Sequence, residues 1–304
     1  MARTVTFTVP PEYDDKKLCA FLRGEAQISY ALYATLRHIS CSVTRGGVPV
    51  RSIDRVHTGD AIRVAFPAEQ TKLLPTPMEL CILYEDDDLL VLDKSGFLAM
   101  HPSHGHQTDT LANGVTDYLQ KSGSEGAFHA VGRLDKGTSG VVLCAKHTYA
   151  ASRMNGQTEK TYLALVDREL SGTGTVDEAI VRPDPDKTTR AIADHGERAV
   201  THYEVLCAGG GRSLVRLTPE TGRTHQIRVH MAHIGAPLTG DALYGTAVPG
   251  LGRHLLHCAT VRVRHPVTRE PLTFSAPLPA EFVAVLRQSI PDAEVDLSCG
   301  EFPL

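Results

Sequence analysis

The stretch that decides how this chain folds is Ala130-Val-Gly-Arg-Leu-Asp-Lys-Gly-Thr-Ser-Gly-Val-Val-Leu-Cys-Ala-Lys146. Its first half is polar and rich in glycine, and it carries one carboxylate, Asp135, between Arg133 and Lys136. Its second half contains an apolar run, residues 141–145, which predicts a buried strand. A turn that leads into a rigid strand can hold a reactive side chain in place. We therefore interpret Asp135, which is ionised at neutral pH, as a candidate catalytic group, and a plain turn-capping role is the alternative.

Length and composition predict two globular domains. A chain of 304 residues with 42% hydrophobic residues can form a catalytic domain and a small accessory domain. Pro75 and Pro77 lie among polar residues, which is typical of a linker. The predicted division is a small domain over residues 1–70, a linker over 71–79, a second domain over 80–290 and a C-terminal tail over 291–304.

Cysteine and apolar patterns exclude several classes of protein. The seven cysteines are scattered and form no Cys-x-x-Cys motif, which argues against a disulfide framework and against a cysteine-based zinc site. No apolar run reaches about 18 residues, and the first residues lack the apolar core of a signal peptide. We therefore expect a cytoplasmic protein that does not contact a membrane.

The charge of the chain is unevenly distributed. The formal net charge of −4 argues against a generic nucleic-acid-binding protein. Between residues 212 and 264, however, seven arginines stand against two acidic residues, Glu220 and Asp241. These arginines are Arg212, Arg216, Arg223, Arg228, Arg253, Arg262 and Arg264. The pattern predicts one basic face on an acidic protein.

The first 70 residues predict a small α+β domain. Residues 4–9 alternate as a strand does, residues 18–22 and 29–38 predict two short helices, and a turn near Gly46 precedes a strand over 61–66. This order resembles the alpha-L RNA-binding domain of a small-subunit ribosomal protein. The basic residues that would contact RNA are spread along the segment: Arg37, Arg45, Arg51, Arg55 and Arg63. The alternative is a small domain with another role.

Several motifs of the second domain resemble one enzyme family. Arg133-Leu-Asp-Lys-Gly-Thr-Ser-Gly140 resembles the Arg-Leu-Asp-x-x-Thr-Ser-Gly signature of the RluA-type RNA pseudouridine synthases. Other blocks similar to family motifs occur in order: Lys160-Thr-Tyr162, Thr221-Gly-Arg-Thr-His-Gln-Ile-Arg-Val-His230, Gly240-Asp-Ala-Leu-Tyr-Gly245 and Leu256-His-Cys258. The resemblance spans residues 80–280. It departs at Gly132, where most members have His, and at Lys94-Ser-Gly-Phe97, where the family usually has Lys-Pro-x-Gly.

The resemblance implies isomerisation of uridine to pseudouridine within RNA, without a cofactor. Asp135 would be the nucleophile, and attack on the uracil and attack on the ribose both stay open. Tyr162 would lie against the uracil. Arg228 would pair with Asp135 once RNA excludes water, since an unpaired buried carboxylate is costly. The residues assigned to substrate binding are Arg133, Arg223 and Leu256, and Arg223 is also the second candidate for pairing with Asp135.

The block from residue 221 to 230 also predicts a helix. Thr224 is a plausible N-cap, and Ile227, Met231 and Ile234 recur at helical spacing as a buried stripe. Arg228 would share a polar face with His225. The family fold implied here is α+β, with a mixed, largely antiparallel sheet and flanking helices.

Two other functions compete with this interpretation. His101, His104 and His106 could bind zinc in a metal hydrolase, although the loop over residues 101–106 contains no carboxylate or cysteine ligand. A non-catalytic RNA-binding protein that keeps the synthase fold is the other alternative. For the synthase, we expect a monomer that acts on RNA, with ribosomal RNA as the leading substrate and transfer RNA as the second.

Overall fold

The computed structural model describes residues 3–69, 71–154 and 156–291. Of the predicted C-terminal tail over residues 291–304, all but Pro291 lies outside the described residues. Among the residues described, no helix is both long enough and apolar enough to cross a lipid bilayer.

Six α-helices and eighteen strands make up the regular structure of the described chain. The helices are α1 (Leu18–Gly24), α2 (Tyr30–Leu36), α3 (Leu111–Lys121), α4 (Thr148–Met154), α5 (Gln226–His233) and α6 (Ala280–Ser289). The first strands are β1 (Thr4–Thr8), β2 (Lys16–Lys17), β3 (Val43–Arg45), β4 (Val48–Pro49), β5 (Arg55–Val56), β6 (Ala61–Ala65), β7 (Cys81–Glu85), β8 (Leu89–Lys94) and β9 (His129–Val131). The others are β10 (Ser139–Ala145), β11 (Glu159–Val166), β12 (Thr173–Asp177), β13 (Ile180–Val181), β14 (Ala191–Ile192), β15 (Val200–Gly209), β16 (Arg212–Pro219), β17 (Leu256–Arg264) and β18 (Pro271–Ser275).

The N-terminal segment forms its own antiparallel sheet. The strand order is β1-β6-β3-β4, and the two predicted short helices, α1 and α2, are present. Leu18, Phe21 and Leu22 of α1 are fully buried in the core of this segment. The order of elements agrees with the sequence prediction, whereas the likeness to an alpha-L domain stays a prediction.

A ten-stranded sheet organises the second domain. Its order is β12-β15-β16-β11-β17-β10-β8-β7, with β18 paired to β17 and β9 paired to β10. All of its pairings are antiparallel except that of β10 with β17. The predicted α+β class with a mixed, largely antiparallel sheet is therefore confirmed.

Strand β10 lies in the middle of this sheet because its side chains are apolar and small enough for both faces to be covered. All seven of its residues are buried. The run predicted over residues 141–145 is thus the interior strand that the sequence indicated, and it begins directly after the Asp135 turn. This arrangement fixes one end of the turn to the most buried part of the sheet.

The N-cap of helix α5 lies one residue later in the chain than predicted. The residue before the helix is His225, which has a left-handed φ of 58° and no capping side-chain hydrogen bond. The predicted N-cap, Thr224, is therefore wrong. The side-chain amide of Gln226 explains part of the difference between the predicted and the observed N-cap. Its oxygen accepts hydrogen bonds from the Thr221 hydroxyl and the Arg223 N–H, and these bonds close the loop in front of the helix.

The N-terminal domain and the second domain share a core. Tyr149 of α4 belongs to the buried cluster of the N-terminal segment, where it stacks on Phe66 with centroids 4.7 Å apart. Its hydroxyl donates a hydrogen bond to the carbonyl of Ala26. Arg3 makes a two-point ion pair with Asp88, at 2.7 and 2.8 Å. These contacts fix the small domain against the larger one.

Candidate active site

The turn that carries Asp135 is held from inside the protein. The Thr138 N–H donates to the Asp135 carbonyl at 3.0 Å, which closes the turn. Beneath it, the buried Lys94 ammonium donates to the carbonyl of Lys136 at 3.4 Å and to two carbonyls of its own loop. Burial, together with Arg253, lowers the pKa of Lys94 to about 7. The three carbonyl acceptors are the partners that a charged ammonium requires.

Gly132, which stands where most family members have His, has a backbone reason to be glycine here. Its φ is +74°, a region that side-chain-bearing residues rarely adopt. A Cβ at this position would lie 2.7 Å from the amine of Lys160. The hydrogen bond that closes the Asp135 turn is present with glycine at this position.

Arg228 connects Asp135 to a second carboxylate. Its Nε and Nη2 donate to Asp241 at 2.7 and 2.8 Å, and its Nη1 donates to Asp135 Oδ2 at 3.3 Å. Burial opposes the charge of Arg228, but the carboxylates of Asp241 and Asp135 raise its pKa above the ordinary value. Asp241 is fully buried and paired, and Asp135 keeps 17% of its side chain exposed. The free oxygen surface on Asp135 faces a pocket.

Tyr162 and Leu256 reach this pocket from neighbouring strands. Strands β11 and β17 pair antiparallel, so Tyr162 lies opposite Cys258 and Ala164 lies opposite Leu256. Both side chains are more than nine-tenths buried. Burial, then the Cys258 thiol and Asp135, raise the pKa of Tyr162 well above its usual value. The hydroxyl is therefore protonated at neutral pH.

The six residues that the sequence assigned to the site line one pocket. They are Arg133, Asp135, Tyr162, Arg223, Arg228 and Leu256. A larger cleft of about 1080 Å³ continues from Asp135 past Arg133 toward Phe97 and Leu243. Arg223 is exposed at the pocket and ion-paired with Glu197, so Arg228, and not Arg223, is the arginine that contacts Asp135.

Comparison with known proteins gives the family of this site. Residues 88–233 match the sequence profile of the RNA pseudouridylate synthase family. The RNA pseudouridine synthase YjbO of Bacillus subtilis is 38% identical over 272 residues, which cover 87% of this chain and 96% of that protein. The ribosomal large subunit pseudouridine synthase D of Pseudomonas aeruginosa is 35% identical over 264 residues, which cover 80% and 82% of the two chains.

The chain belongs to the RluA-type RNA pseudouridine synthases. Its fold agrees with solved structures of the family. The human RNA pseudouridylate synthase domain containing 4 aligns with a TM-score of 0.54 and 26% identity, over 68% of this chain and 92% of that one. The protein is therefore an isomerase that forms pseudouridine in RNA.

Two histidines that the sequence interpretation did not assign to the site lie near Asp135 in this synthase. His225 Nε2 lies 3.8 Å from Asp135 Oδ2, and its Nδ1 is 2.8 Å from the Tyr244 hydroxyl. The second, His254, bonds through Nε2 to the Thr138 hydroxyl at 2.9 Å. Burial, together with Arg228, lowers the pKa of His254 to about 3, so it is neutral at working pH.

Asp241 is a third site residue that sequence reasoning did not single out. Its signal was present, because it is the Asp of the Gly240-Asp-Ala-Leu-Tyr-Gly245 block. The block by itself gives no indication that this carboxylate binds an arginine of α5.

Two of the three histidines proposed for a metal hydrolase, His101 and His106, contact other side chains. His106 bonds through Nδ1 to Asp109 at 2.6 Å and contacts the Lys136 amine through Nε2 at 3.0 Å. His101 packs edge-on against the Phe128 ring. Over residues 3–69, 71–154 and 156–291, the one group with metal-ligand spacing is Asp86, Asp88 and His265. His101, His104 and His106 are not brought together as a ligand set.

Most of the arginines predicted to form a basic face between Arg212 and Arg264 have carboxylate partners. Arg228 and Arg253 are buried and ion-paired inside the protein. Arg212, Arg216 and Arg223 pair with carboxylates at the surface or near it. Only Arg262 and Arg264 of the seven are exposed without a carboxylate partner among the described residues. Proximity in sequence predicts a concentration of positive charge, but the fold pairs five of the seven arginines with carboxylates.

Proposed function

We propose that this synthase modifies specific uridines in structured RNA with Asp135 as its nucleophile. The observation that carries this proposal is the contact between Asp135 and Arg228 in a pocket that also contains Tyr162. An ionised carboxylate beside a fixed cation stays charged when RNA covers the pocket, and covalent catalysis by carboxylates has general precedent.

The isomerisation conserves all atoms of the nucleotide. The glycosidic bond between uracil N1 and the ribose breaks, and the uracil turns over. Its carbon 5 then bonds to the ribose, carbon 5 loses a proton, and N1 gains one. A base inside a helix cannot reach a pocket of this kind, so the target uridine must leave the stack before reaction.

In this proposal Tyr162 is a stacking and hydrogen-bonding residue. Its raised pKa keeps the hydroxyl protonated, so it donates a hydrogen bond and does not act as a phenolate base. Stacking of a base on an aromatic ring contributes about 1–3 kcal/mol. Leu256 would cover the opposite apolar side of the pocket, and Arg133 and Arg223 would hold the RNA at its rim.

The first substrate to test is ribosomal RNA, and transfer RNA is the second. Support for this order comes from the relatives in Pseudomonas aeruginosa and Xanthomonas campestris, which carry the name ribosomal large subunit pseudouridine synthase D. These relatives are 35% and 36% identical to this chain over most of its length.

Replacing the nucleophile tests the proposal. Asp135→Asn should abolish pseudouridine formation while RNA affinity and thermal stability stay near those of the parent, because an amide has a similar shape but is a poor nucleophile. The measurement is mapping of pseudouridines in ribosomal and transfer RNA incubated with either protein. Normal turnover by the variant would remove Asp135 from the mechanism.

The N-terminal domain is the remaining part of the proposal: residues 1–70 bind the substrate RNA. Arg37 and Arg63 support it, because both are exposed and neither has an ion pair within the described residues. Replacing each with Ala in the intact chain should reduce the slope of log affinity against log salt by about one per lost phosphate contact. Arg287→Ala is the control, since Arg287 is an exposed arginine on α6, outside residues 1–70. Unchanged slopes would contradict an RNA-binding role for these residues.

A further inference from the structure

Two exposed apolar side chains border the cleft beside Asp135. Phe97 is 56% exposed and Leu243 is 49% exposed, and both line the cleft. Over the described parts of residues 80–291, they are the only large hydrophobic residues exposed to this degree. Since exposed apolar groups gathered at one place mark binding surfaces, their position at the substrate cleft indicates a contact with substrate.

The backbone that carries Phe97 is fixed from inside the protein. The turn that carries the ring is anchored by the Lys94 ammonium, which donates to the carbonyls of Ser95 and Leu98 at 2.9 Å each. The ring is therefore presented from a fixed backbone.

Arg253 supports the Phe97 ring from the protein side. Its guanidinium carbon lies 5.9 Å from the ring centroid. The Arg253 side chain is only 1% exposed and is held by Glu281 at 2.8 Å and by the Gly137 carbonyl at 3.0 Å. Because the Arg253 guanidinium is buried and held by two hydrogen-bonding partners, it does not move aside. The exposed surface of the Phe97 ring is therefore directed to the cleft.

The charges of the cleft match a nucleic acid. Arg133 and Lys136 line it and are exposed, and neither has a carboxylate partner in the part of the chain that the structure describes. The two carboxylates in the cleft, Asp135 and Asp241, share Arg228 as their partner, which leaves one formal negative charge against the two cations. A nucleotide would find cations for its phosphate and an aromatic surface for its base.

We propose that Phe97 stacks on the base of a nucleotide adjacent to the target uridine and thereby contributes to the choice of site. The two subsites are separate: Tyr162 and Leu256 line the small pocket without Phe97, whereas Phe97 and Leu243 line the cleft without Tyr162. Asp135 borders both. The target uracil belongs to the pocket with Tyr162, so the base at Phe97 is its neighbour. This inference rests on the proposed function.

The test compares Phe97→Ala with the parent on an RNA stem–loop that contains one converted uridine. In a second set, each stem–loop carries one abasic site, placed either immediately before or immediately after that uridine. Phe97→Ala should lower kcat/KM roughly 5- to 150-fold on the complete RNA, as expected for a lost base stack. On one of the abasic RNAs the same substitution should change kcat/KM less than about twofold, because the stacking partner is already absent.

Controls separate stacking from a structural effect. Phe97→Tyr keeps an aromatic ring and should retain the parent activity. Leu74→Ala removes an apolar side chain of similar exposure, 62%, that does not line the cleft, and should leave kcat/KM unchanged. A Phe97→Ala loss of equal size on every abasic RNA, or no loss at all, overturns the inference. If the parent converts no uridine in any RNA, the proposed function fails and this inference fails with it.

Discussion

At the scale of single residues, Arg228 divides its guanidinium between two carboxylates. Asp241 takes Nε and Nη2, which leaves Nη1 directed at Asp135. Two-point pairing of arginine with a carboxylate has strict geometry. The cation is thus oriented before RNA arrives, and little reorganisation is needed when the pocket is covered. Tyr244, whose ring centroid lies 5.1 Å from the guanidinium carbon, closes the remaining side.

His254 gives the site a measurable pH dependence of stability. Its pKa falls from the ordinary 6.5 to about 3 in the folded chain, chiefly through burial. Between these two pH values, the unfolded chain therefore binds a proton at His254 that the folded chain does not bind. The free energy of unfolding falls as pH decreases from about 6.5 toward 3. His254→Gln should reduce the loss of unfolding free energy between about pH 7 and pH 5 by up to about 2 kcal/mol.

The measurement for His254 is urea unfolding at both pH values. His233→Gln is the matched control, because His233 is an exposed histidine on the neighbouring helix α5. Parallel pH profiles for the parent and His254→Gln would show that this histidine does not resist protonation.

Single residues also mark where sequence reasoning succeeds and where it ends. Asp135, Tyr162 and Arg228 could be chosen because each stands in a motif with fixed neighbours. The roles of Asp241 and His254 could not be inferred, although Asp241 also stands in a motif, since these roles depend on loops that bring the residues to partners many positions away. No periodicity in the sequence encodes the path of such loops.

At the scale of elements, the site depends on the short parallel contact between β10 and β17. Ser139 lies opposite His257, and Gly140 lies opposite Cys258. This contact brings the end of the Asp135 turn beside Leu256 and His254. Gly140 has a φ of +106°, and a Cβ there would overlap the backbone of Cys258. Only glycine permits this approach.

Gly140→Ala should therefore destabilise the fold by about 3 kcal/mol or more, because backbone strain and overpacking add. Gly209→Ala is the control. Its Cβ would meet only Ile290 Cγ2 at 3.6 Å, which is ordinary contact, so the stability should change by about 1 kcal/mol or less. Chemical denaturation of both variants gives the two values, and equal stabilities would contradict the close approach.

The strands themselves were easier to predict than their partners. The apolar run of β10 is visible in the sequence and is present in the structure as a fully buried strand. The order of strands in the sheet is not visible, because alternation reports which face is buried and not which strand lies alongside. Ion pairing is hidden in the same way: the sequence shows seven nearby arginines, but it does not show that five of them bind carboxylates.

At the scale of the whole molecule, the two domains depend on each other through the Tyr149 ring. Tyr149 is 1% exposed and stacks on Phe66. Its hydroxyl donates a hydrogen bond to the carbonyl of Ala26, two residues after the end of α1. Asp88 pairs with both Arg3 and His147. A chain shortened by residues 1–70 would expose this ring and leave the buried carboxylate with one partner fewer. Its RNA affinity would then report lost stability as well as lost contacts.

Substitution of Tyr149 in the intact chain measures the coupling. Tyr149→Ala should cost about 3–5 kcal/mol, as for other large buried aromatic residues, and should increase hydrogen exchange in α1, more than 120 positions away. Tyr149→Phe keeps the ring and should cost about 1 kcal/mol for the lost hydrogen bond. Unchanged exchange in α1 of the alanine variant would mean that the small domain is stable without the ring.

The shared core also orders events in time. During synthesis, residues up to 66 leave the ribosome well before residue 149 has been added. Arg3 likewise cannot form its ion pair until Asp88 has been added. Domains made first generally fold first, but here the N-terminal segment lacks one wall of its interior until helix α4, which carries Tyr149, has also been translated. The nascent N-terminal domain therefore cannot reach its final packing alone, and both halves of the enzyme mature together.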